Sequence, residues 1–297
     1  MNVVAFQNIH RSYHRGTHVL DGVTFDVEKG RVVGLVGKNG AGKTTLLRIA
    51  MGMLEAQRGT VRLFGLDPRR EPMEVKRRVG FVSEDQILPP FMKVSQVLDL
   101  HRGLFPTWDE GITRDLIDRF GIPLRTKIRA LSKGQARQVA LLCAVAHKPE
   151  LLLLDEPAAG LDPAARREFL ETSIQLLNRT GSTILFSSHY MTDVERLADR
   201  IVMLHEGRVL IEAELDELHD QYSLALVPHN GGTSRAKVDS LESCLGIRDR
   251  SDALHAVFNL EPDSAARLLE TELGITGSLC RRIALEDMFV ELAGGQQ

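Results

Sequence analysis

Apolar and polar residues alternate with a period of two near the start of the chain, which is typical of strands buried on one face. The alternation predicts antiparallel strands at 3–9 and 19–27, joined by a turn at Arg15-Gly16. The apolar run 32–36 predicts a fully buried strand. Further strands are predicted at 59–64, 79–82, 151–154, 182–187, 200–204 and 208–212.

Between 94 and 147 the period lengthens to 3.6, which predicts a helical insertion spanning about residues 90–148. Thr107 followed by Glu110 has the spacing of a capping box, and so does Ser132 followed by Gln135. Each pair predicts the start of a helix. Other helices are predicted at 45–54 and from 163 to about 179.

The tail from 213 to 297 has a different pattern, with short alternating runs between amphipathic segments. It predicts helices at 214–221, 263–273 and 285–292, strands at 223–227 and 253–259, and a polar link containing Gly231-Gly232. The tail holds no chemical motif. We therefore expect an α/β domain at 1–212 and a small α/β accessory domain at 213–297.

Composition narrows the choice of partners and compartment. The net charge of −3 gives no basic excess for nucleic acid, and Lys76, Arg77 and Arg78 form either a local patch or a solvated helix face. The three cysteines lack the spacing of a metal site or disulfide framework, which fits a reducing cytoplasm. Because no apolar run approaches the ~20 residues that span a bilayer, we expect any membrane role to come through a partner.

Residues 37–45, Gly-Lys-Asn-Gly-Ala-Gly-Lys-Thr-Thr, lie between a predicted strand and a predicted helix and have P-loop spacing. Inward-pointing N–H groups of such a loop cradle a nucleoside triphosphate, and a side chain on Gly40 or Gly42 would block the approach. Lys43 can reach the β- and γ-phosphates, and the Thr44 hydroxyl can bind Mg²⁺. The predicted nucleotide-binding residues here are Gly37, Lys38, Asn39, Gly40, Ala41, Gly42, Lys43, Thr44 and Thr45.

Asp155 and Glu156 follow four leucines, and two carboxylates at the end of a buried strand need a cation nearby. We expect Asp155 to hold Mg²⁺, directly or through water, and Glu156 to accept a proton from the attacking water. Another polar group beyond strand 79–82 can touch Mg²⁺ or that water. Glu84, Asp85 and Gln86 are all possible there.

Three further residues have two interpretations each. Ser132 either only caps its helix or also presents the helix N-terminus to an anion. His189, after strand 182–187, either is structural or bonds the γ-phosphate, and we favour the phosphate. Tyr13 either stacks on a nucleotide base or packs on its own sheet.

Together these motifs resemble the nucleotide-binding subunit of an ATP-binding cassette (ABC) transporter over residues 1 to about 212. Residues 37–44 are similar to its Walker A motif, 131–135 to its signature and 151–156 to its Walker B. Asp162 resembles the D-loop aspartate, His189 the switch histidine and Tyr13 the adenine-stacking aromatic. The resemblance implies a P-loop NTPase fold, with a RecA-like core, an antiparallel β subdomain and a helical subdomain, that binds ATP and Mg²⁺.

The resemblance also implies a head-to-tail dimer in which Ser132 and Gly134 of one subunit serve ATP bound to the other, and Gln135 and Asp162 are further expected nucleotide-binding residues. A homodimer is allowed. A separate transmembrane permease would dock near residues 84–108, placing the chain at the inner face of the cell membrane. The tail resembles the extensions of bacterial export-type cassettes, which favours export.

Two positions depart from the family pattern. Lys133 replaces a glycine of the signature, where its charge either meets the γ-phosphate or points to solvent. Glu84 stands where the family has its Q-loop glutamine, while Gln86 is two residues late. Two other functions remain open: a soluble ABC ATPase acting on ribosomes or DNA, and a regulatory ATP sensor without transport.

Overall fold

The structure, a computed structural model, describes residues 1–14, 17–85, 88–229 and 235–293. The turn predicted at Arg15-Gly16, the alternative Q-loop residue Gln86 and the link Gly231-Gly232 lie outside the described residues. The chain forms two compact units. The first comprises Met1–Tyr190 with Arg200–Ile211, and the second Met191–Asp199 with Glu212–Gln297.

Residues 1–214 contain the P-loop and the elements of the first unit, together with one helix of the second unit. Most of the predicted strands are present within a few residues of their expected bounds. The P-loop helix begins at Lys43 and ends at Ala50, earlier at both ends than predicted. The elements are β1 Asn2–His14, β2 Thr17–Glu28, β3 Val32–Val36, α1 Lys43–Ala50, β4 Arg58–Leu63, α2 Pro72–Arg78, β5 Val79–Val82, α3 Val94–Leu104, α4 Glu110–Phe120, α5 Lys133–Val145, β6 Leu151–Leu154, α6 Pro163–Thr180, β7 Thr183–Ser188, α7 Met191–Leu197, β8 Arg200–His205 and β9 Arg208–Glu214.

The first unit contains two sheets. The larger has the order β5-β6-β7-β3-β8-β9, and the pairs β5·β6, β6·β7, β7·β3 and β3·β8 are parallel. The smaller is an antiparallel sheet of order β2-β1-β4. All four leucines of β6 are buried, as expected for a central parallel strand. The predicted α/β fold, with a parallel core and an antiparallel subdomain, is confirmed.

Apolar side chains of both sheets meet around the P-loop helix. Leu46, Leu47 and Ile49 of α1 are buried in one cluster with β1 and β2 residues and with Leu35, Leu151 and Leu185 of the parallel strands. Burying a side chain of this size contributes about 1.5–3 kcal/mol. Because α1 is fixed on its apolar face, the loop that precedes it has a rigid base.

The helical insertion contains α3, α4 and α5, and one of its two predicted caps is wrong. Asp109, not Thr107, caps α4, because the Asp109 carboxylate accepts hydrogen bonds from the backbone N–H groups of Gly111 and Ile112. The Thr107 hydroxyl instead donates to the His147 carbonyl at 2.8 Å. The start of α5 has the predicted capping box at Ser132 and Gln135.

The second unit contains an antiparallel sheet of order β11-β12-β10-β13. Apolar residues of β10, β12 and α10, among them Val227, Phe258 and Leu269, form its own core. No helix among the described residues is both long and apolar enough to cross a membrane. The remaining elements are α8 Leu215–Gln221, β10 Ser223–Pro228, α9 Arg235–Asp239, β11 Cys244–Asp249, β12 Ala253–Phe258, α10 Pro262–Leu273, β13 Leu279–Arg282 and α11 Leu285–Ala293.

Candidate functional site

The loop between β3 and α1 depends on glycine. Gly42 caps α1 with φ at +104°, and a Cβ there would lie 2.6 Å from a Leu20 methyl carbon and 2.7 Å from the Val19 carbonyl oxygen. Gly40 has φ at +86°, but an added Cβ would meet no atom of the described residues within 4 Å. Gly42 is therefore fixed by packing and backbone conformation, and Gly40 by conformation alone.

A cleft of about 360 Å³ lies over this loop. The predicted site residues that line it come from β1, the P-loop, the segment after β5 and the end of β6. The structure thus brings together residues that are up to 143 positions apart, from 13 to 156. They are Tyr13, Lys38, Asn39, Gly40, Gly42, Lys43, Thr44, Thr45, Glu84 and Glu156.

Lys43 is buried and its ammonium group has three partners at the loop. Its Nζ donates to the carbonyl oxygens of Gly37 at 2.7 Å and Lys38 at 3.3 Å. It also lies 3.2 Å from a carboxylate oxygen of Glu156, with both side chains under a tenth exposed. The P-loop and the end of β6 are therefore joined by a buried ion pair.

Asp155 is fully buried and accepts two side-chain hydrogen bonds on one oxygen. Thr44 donates to its Oδ1 at 3.0 Å, and Ser187 of β7 donates at 2.8 Å. Its other oxygen, Oδ2, is buried and has no hydrogen-bond partner among the described residues. Burial raises the pKa of Asp155, while the bonds from Ser187 and Thr44 lower it. A carboxylate oxygen without a partner, beside a threonine hydroxyl, fits a hard cation.

Glu156 is held at both its side chain and its backbone. Its second carboxylate oxygen lies 2.8 Å from His189 Nδ1, and its backbone N–H donates to the Ser187 hydroxyl at 2.8 Å. Its φ is +45°, a left-handed conformation that non-glycine residues adopt only when their surroundings impose it. The Ser187 hydroxyl accepts from Glu156 and donates to Asp155, so the two acidic residues share one support.

Tyr13 is about half exposed and lines the cleft. Its hydroxyl lies 3.1 Å from that of Thr45, and the Arg11 guanidinium lies 5.4 Å from its ring centre. The ring is thus tied to the P-loop helix by its hydroxyl. Its exposure leaves area for a base, and stacking stays a prediction.

The signature residues lie at the start of α5, and none is among the described residues that line the cleft. The Ser132 hydroxyl accepts from the Gln135 N–H, and the Gln135 amide oxygen accepts from the Ser132 N–H, both at 3.1 Å. Ser132 and Lys133 are exposed, so both can face a second molecule. A Cβ on Gly134 would lie 3.5 Å from a methyl carbon of Leu161, which brings this helix start next to the predicted D-loop.

The last two residues predicted to bind ligand, Asp162 and Glu84, both take part in hydrogen bonds that involve the backbone. The Asp162 carboxylate accepts from the N–H groups of Ala164 and Ala165 at 3.0 Å and so caps α6. Glu84 is exposed, lines the cleft and accepts a hydrogen bond on its backbone carbonyl. Its predicted contact with Mg²⁺ remains untested.

Comparisons with known proteins identify the family. The ABC transporter ATP-binding protein YtrB of Bacillus subtilis (strain 168) is 33% identical over 282 residues, which cover 95% of this chain and 95% of that protein. The chain therefore belongs to the ATP-binding subunits of ABC transporters. A family model described as ABC transporter matches residues 20–159 of this ABC subunit.

Two further comparisons extend this result. The Nod factor export ATP-binding protein I of Burkholderia orbicola (strain AU 1054) is 30% identical to the ABC subunit over 297 residues, covering 98% of this chain and 97% of that protein. A solved structure of an ATP-binding subunit of an ABC transporter superposes with a TM-score of 0.66 and 29% identity, covering 73% of this chain and 92% of that one. The predicted family, fold and activity as an ATP-hydrolysing transporter subunit are confirmed, and the soluble alternatives are not favoured.

Sequence reasoning missed two polar residues that support the ABC subunit's site. Ser187 lies in the buried strand β7, where a small polar residue among apolar ones signals a buried hydrogen bond. Arg137 of α5 donates to the carbonyl oxygens of Glu156, Pro157 and Glu84. The sequence indicates this role for Arg137 only weakly, as a positively charged residue next to the apolar positions of a predicted helix.

Proposed function

We propose that this ABC subunit is the ATP-driven component of an exporter that acts on a separate transmembrane permease. Residues 1–212 form the ATP-binding domain and 213–297 an accessory domain in this proposal. One observation carries it: Thr44, Asp155, Ser187, Glu156 and His189 form one continuous set of contacts beside the P-loop. These groups are suited to move a proton next to a bound triphosphate.

The P-loop residues hold the triphosphate in this proposal, and Lys43 binds its β- and γ-phosphates. Lys43 already pairs with Glu156, so phosphate oxygens compete with that carboxylate for the ammonium group. When Lys43 turns to the phosphates, Glu156 keeps its bond to His189 and can accept the proton of the attacking water. His189 also donates to the γ-phosphate, and Tyr13 stacks on the adenine.

Mg²⁺ would be held by Thr44 Oγ1 and Asp155, with Glu84 a further proposed contact, and would neutralise charge on the β- and γ-phosphates. The buried Oδ2 of Asp155, for which the described part of the chain provides no hydrogen-bond partner, supports this assignment. Mg²⁺ is commonly bound in proteins by one or two carboxylates together with substrate phosphates.

We further propose a homodimer, because a helix N-terminus contributes to phosphate binding only when a phosphate faces it. The exposed Ser132, with Gly134, Gln135 and Asp162, would meet ATP held by the partner's P-loop. The permease would dock on the segment 84–108, which contains the exposed Phe91, Leu100 and Leu104. Such docking would place the subunit at the inner face of the cell membrane.

Glu156→Gln tests the proposal. It removes the base and the negative charge that competes for Lys43, so we expect loss of ATP hydrolysis with retained ATP binding and a dimer that persists in ATP. Turnover is measured by phosphate release, and the dimer by size-exclusion chromatography with ATP. Unchanged hydrolysis would refute the assigned base. Affinity purification from solubilised membranes should recover a permease, and its repeated absence would contradict the transport partner.

A further inference from the structure

Arg137 joins three parts of the ATP site through one side chain. It lies on α5, five residues after the helix cap Ser132. Its Nη1 donates to the carbonyl oxygens of Glu156 at 2.9 Å and Pro157 at 3.0 Å, and its Nη2 donates to that of Glu84 at 3.1 Å. The signature helix is thereby bonded to the backbone after β6 and to the backbone after β5.

The bonds to the segment after β6 act on a strained backbone. Glu156 has φ at +45°, a conformation that is unfavourable for a non-glycine residue and needs external support. Its N–H donates to the Ser187 hydroxyl, and its C=O accepts from Arg137 and from the Ala159 N–H, the latter at 3.1 Å. The side-chain supports come from β7 and α5, so the direction of the Glu156 side chain depends on both elements.

We propose that Arg137 is a positioning residue for ATP hydrolysis, fixing the backbone of Glu156 relative to the signature helix and to the segment at Glu84. This inference rests on the proposed role of Glu156 as the base. Arg137 does not touch the reacting atoms, and it acts through the orientation of the Glu156 carboxylate. A displaced base reduces the rate of the chemical step while the P-loop continues to bind ATP.

The three acceptors explain why arginine occupies this position. A planar guanidinium presents several N–H groups in a fixed fork, whereas a lysine ammonium is one point charge on a flexible stem. The positive charge also acts on the carboxylates of Asp155 and Glu156 and on those of Glu84 and Asp85. Lysine keeps the charge and loses the fork, so this substitution separates the two effects.

The test compares steady-state ATP hydrolysis by the full chain and by Arg137→Gln and Arg137→Lys. We expect kcat to fall about 10- to 100-fold in both variants, with KM for ATP changed by less than about twofold. The matched control is Arg129→Gln, an exposed arginine just before α5, which should keep the kcat of the unchanged chain. ATP affinity of each variant is measured with a fluorescent ATP analogue.

Several results would overturn the proposal. Full kcat in Arg137→Lys would show that charge alone suffices, and weakened ATP binding together with lost turnover would assign Arg137 to nucleotide binding or folding. If Arg137→Gln does not fold, Arg137→Lys decides alone. In a Glu156→Gln background, Arg137→Gln should leave ATP affinity within about twofold, and a larger loss counts against positioning. Turnover that persists in Glu156→Gln alone instead refutes the base assignment.

Discussion

Ser187→Ala removes the hydroxyl that supports both acidic residues of the site. The fully buried Ser187 accepts from the Glu156 N–H and donates to Asp155 Oδ1, each at 2.8 Å. An unsatisfied buried N–H costs about 1–3 kcal/mol, and a lost hydrogen bond to a charged group costs about 1.5–3 kcal/mol. Because water entering the vacated space recovers part of this, we expect the free energy of unfolding to fall by about 3 kcal/mol, and Tm by about 6–12 °C.

The same substitution changes the pH dependence of hydrolysis. Burial raises the pKa of Asp155, and the Ser187 hydrogen bond is the largest effect that lowers it. Without that bond the pKa rises further, so Asp155 becomes protonated at a higher pH. If the charged carboxylate is needed for metal binding, the acid limb of the pH–rate profile moves to higher pH. The kcat also falls, because the strained backbone of Glu156 loses the hydrogen bond that holds its N–H.

Ser182→Ala is the matched control. Ser182 is also buried, precedes the same strand and donates to the Pro149 carbonyl at 2.6 Å, so alanine removes one buried bond away from the acidic residues. It should destabilise the fold without moving the acid limb. Thermal unfolding and a pH series of phosphate-release rates check both effects. If the acid limb of the pH–rate profile lies at the same pH in Ser187→Ala and in the unchanged chain, the assigned support of Asp155 by Ser187 is refuted.

Two further predictions concern Lys43 and His147. Lys43→Ala should weaken ATP binding at least about tenfold, because the site loses its proposed phosphate-binding cation. Isothermal titration with ATP measures the affinity, and substitution of the exposed Lys29 by alanine is the control. An unchanged affinity in Lys43→Ala would contradict the role of Lys43. His147 is buried against Phe105, with ring centres 4.1 Å apart, and burial lowers the pKa of His147 below its ordinary value of about 6.5. The unfolded chain therefore binds a proton on His147 at a higher pH than the folded chain does. The contribution of His147 to the free energy of unfolding is complete above about pH 6.5. It is lost as the pH falls, at up to about 1.4 kcal/mol per pH unit. His147→Phe should lose less unfolding free energy between about pH 7.5 and pH 5.5, and an equal loss would refute the argument.

Local sequence patterns predict the parts of the fold that are stabilised by contacts within a few residues or by uniform burial of a whole strand. Residues 151–154 are four buried leucines, so the apolar run alone marks a central strand. The P-loop and the Ser132 cap use residue types with fixed spacing over a few positions. These predictions agree with the structure because the contacts involved lie within one helical turn or at the end of one strand.

The missed elements have weak patterns for physical reasons. β11 and β13 are the edges of the second sheet, and their residues are mostly half-buried or exposed, which removes the alternation that marks a strand. α9 has five residues, too few for a helical period. The sequence predicts the α4 cap at Thr107 because two residues able to cap a helix, Thr107 and Asp109, lie two positions apart, and spacing alone does not distinguish them.

The supports of Glu156 show why a site is harder to predict than its motifs. Ser187 and Arg137 contact backbone atoms of Glu156, and a backbone carbonyl or N–H has no residue-type signature in the sequence. The motif identifies the carboxylate, but the fold decides its direction. Because Lys43 and His189 hold the two carboxylate oxygens, a phosphate that attracts Lys43 leaves Glu156 with His189 alone. In the proposed mechanism, binding of the nucleotide by Lys43 and preparation of Glu156 as the base are therefore one physical event.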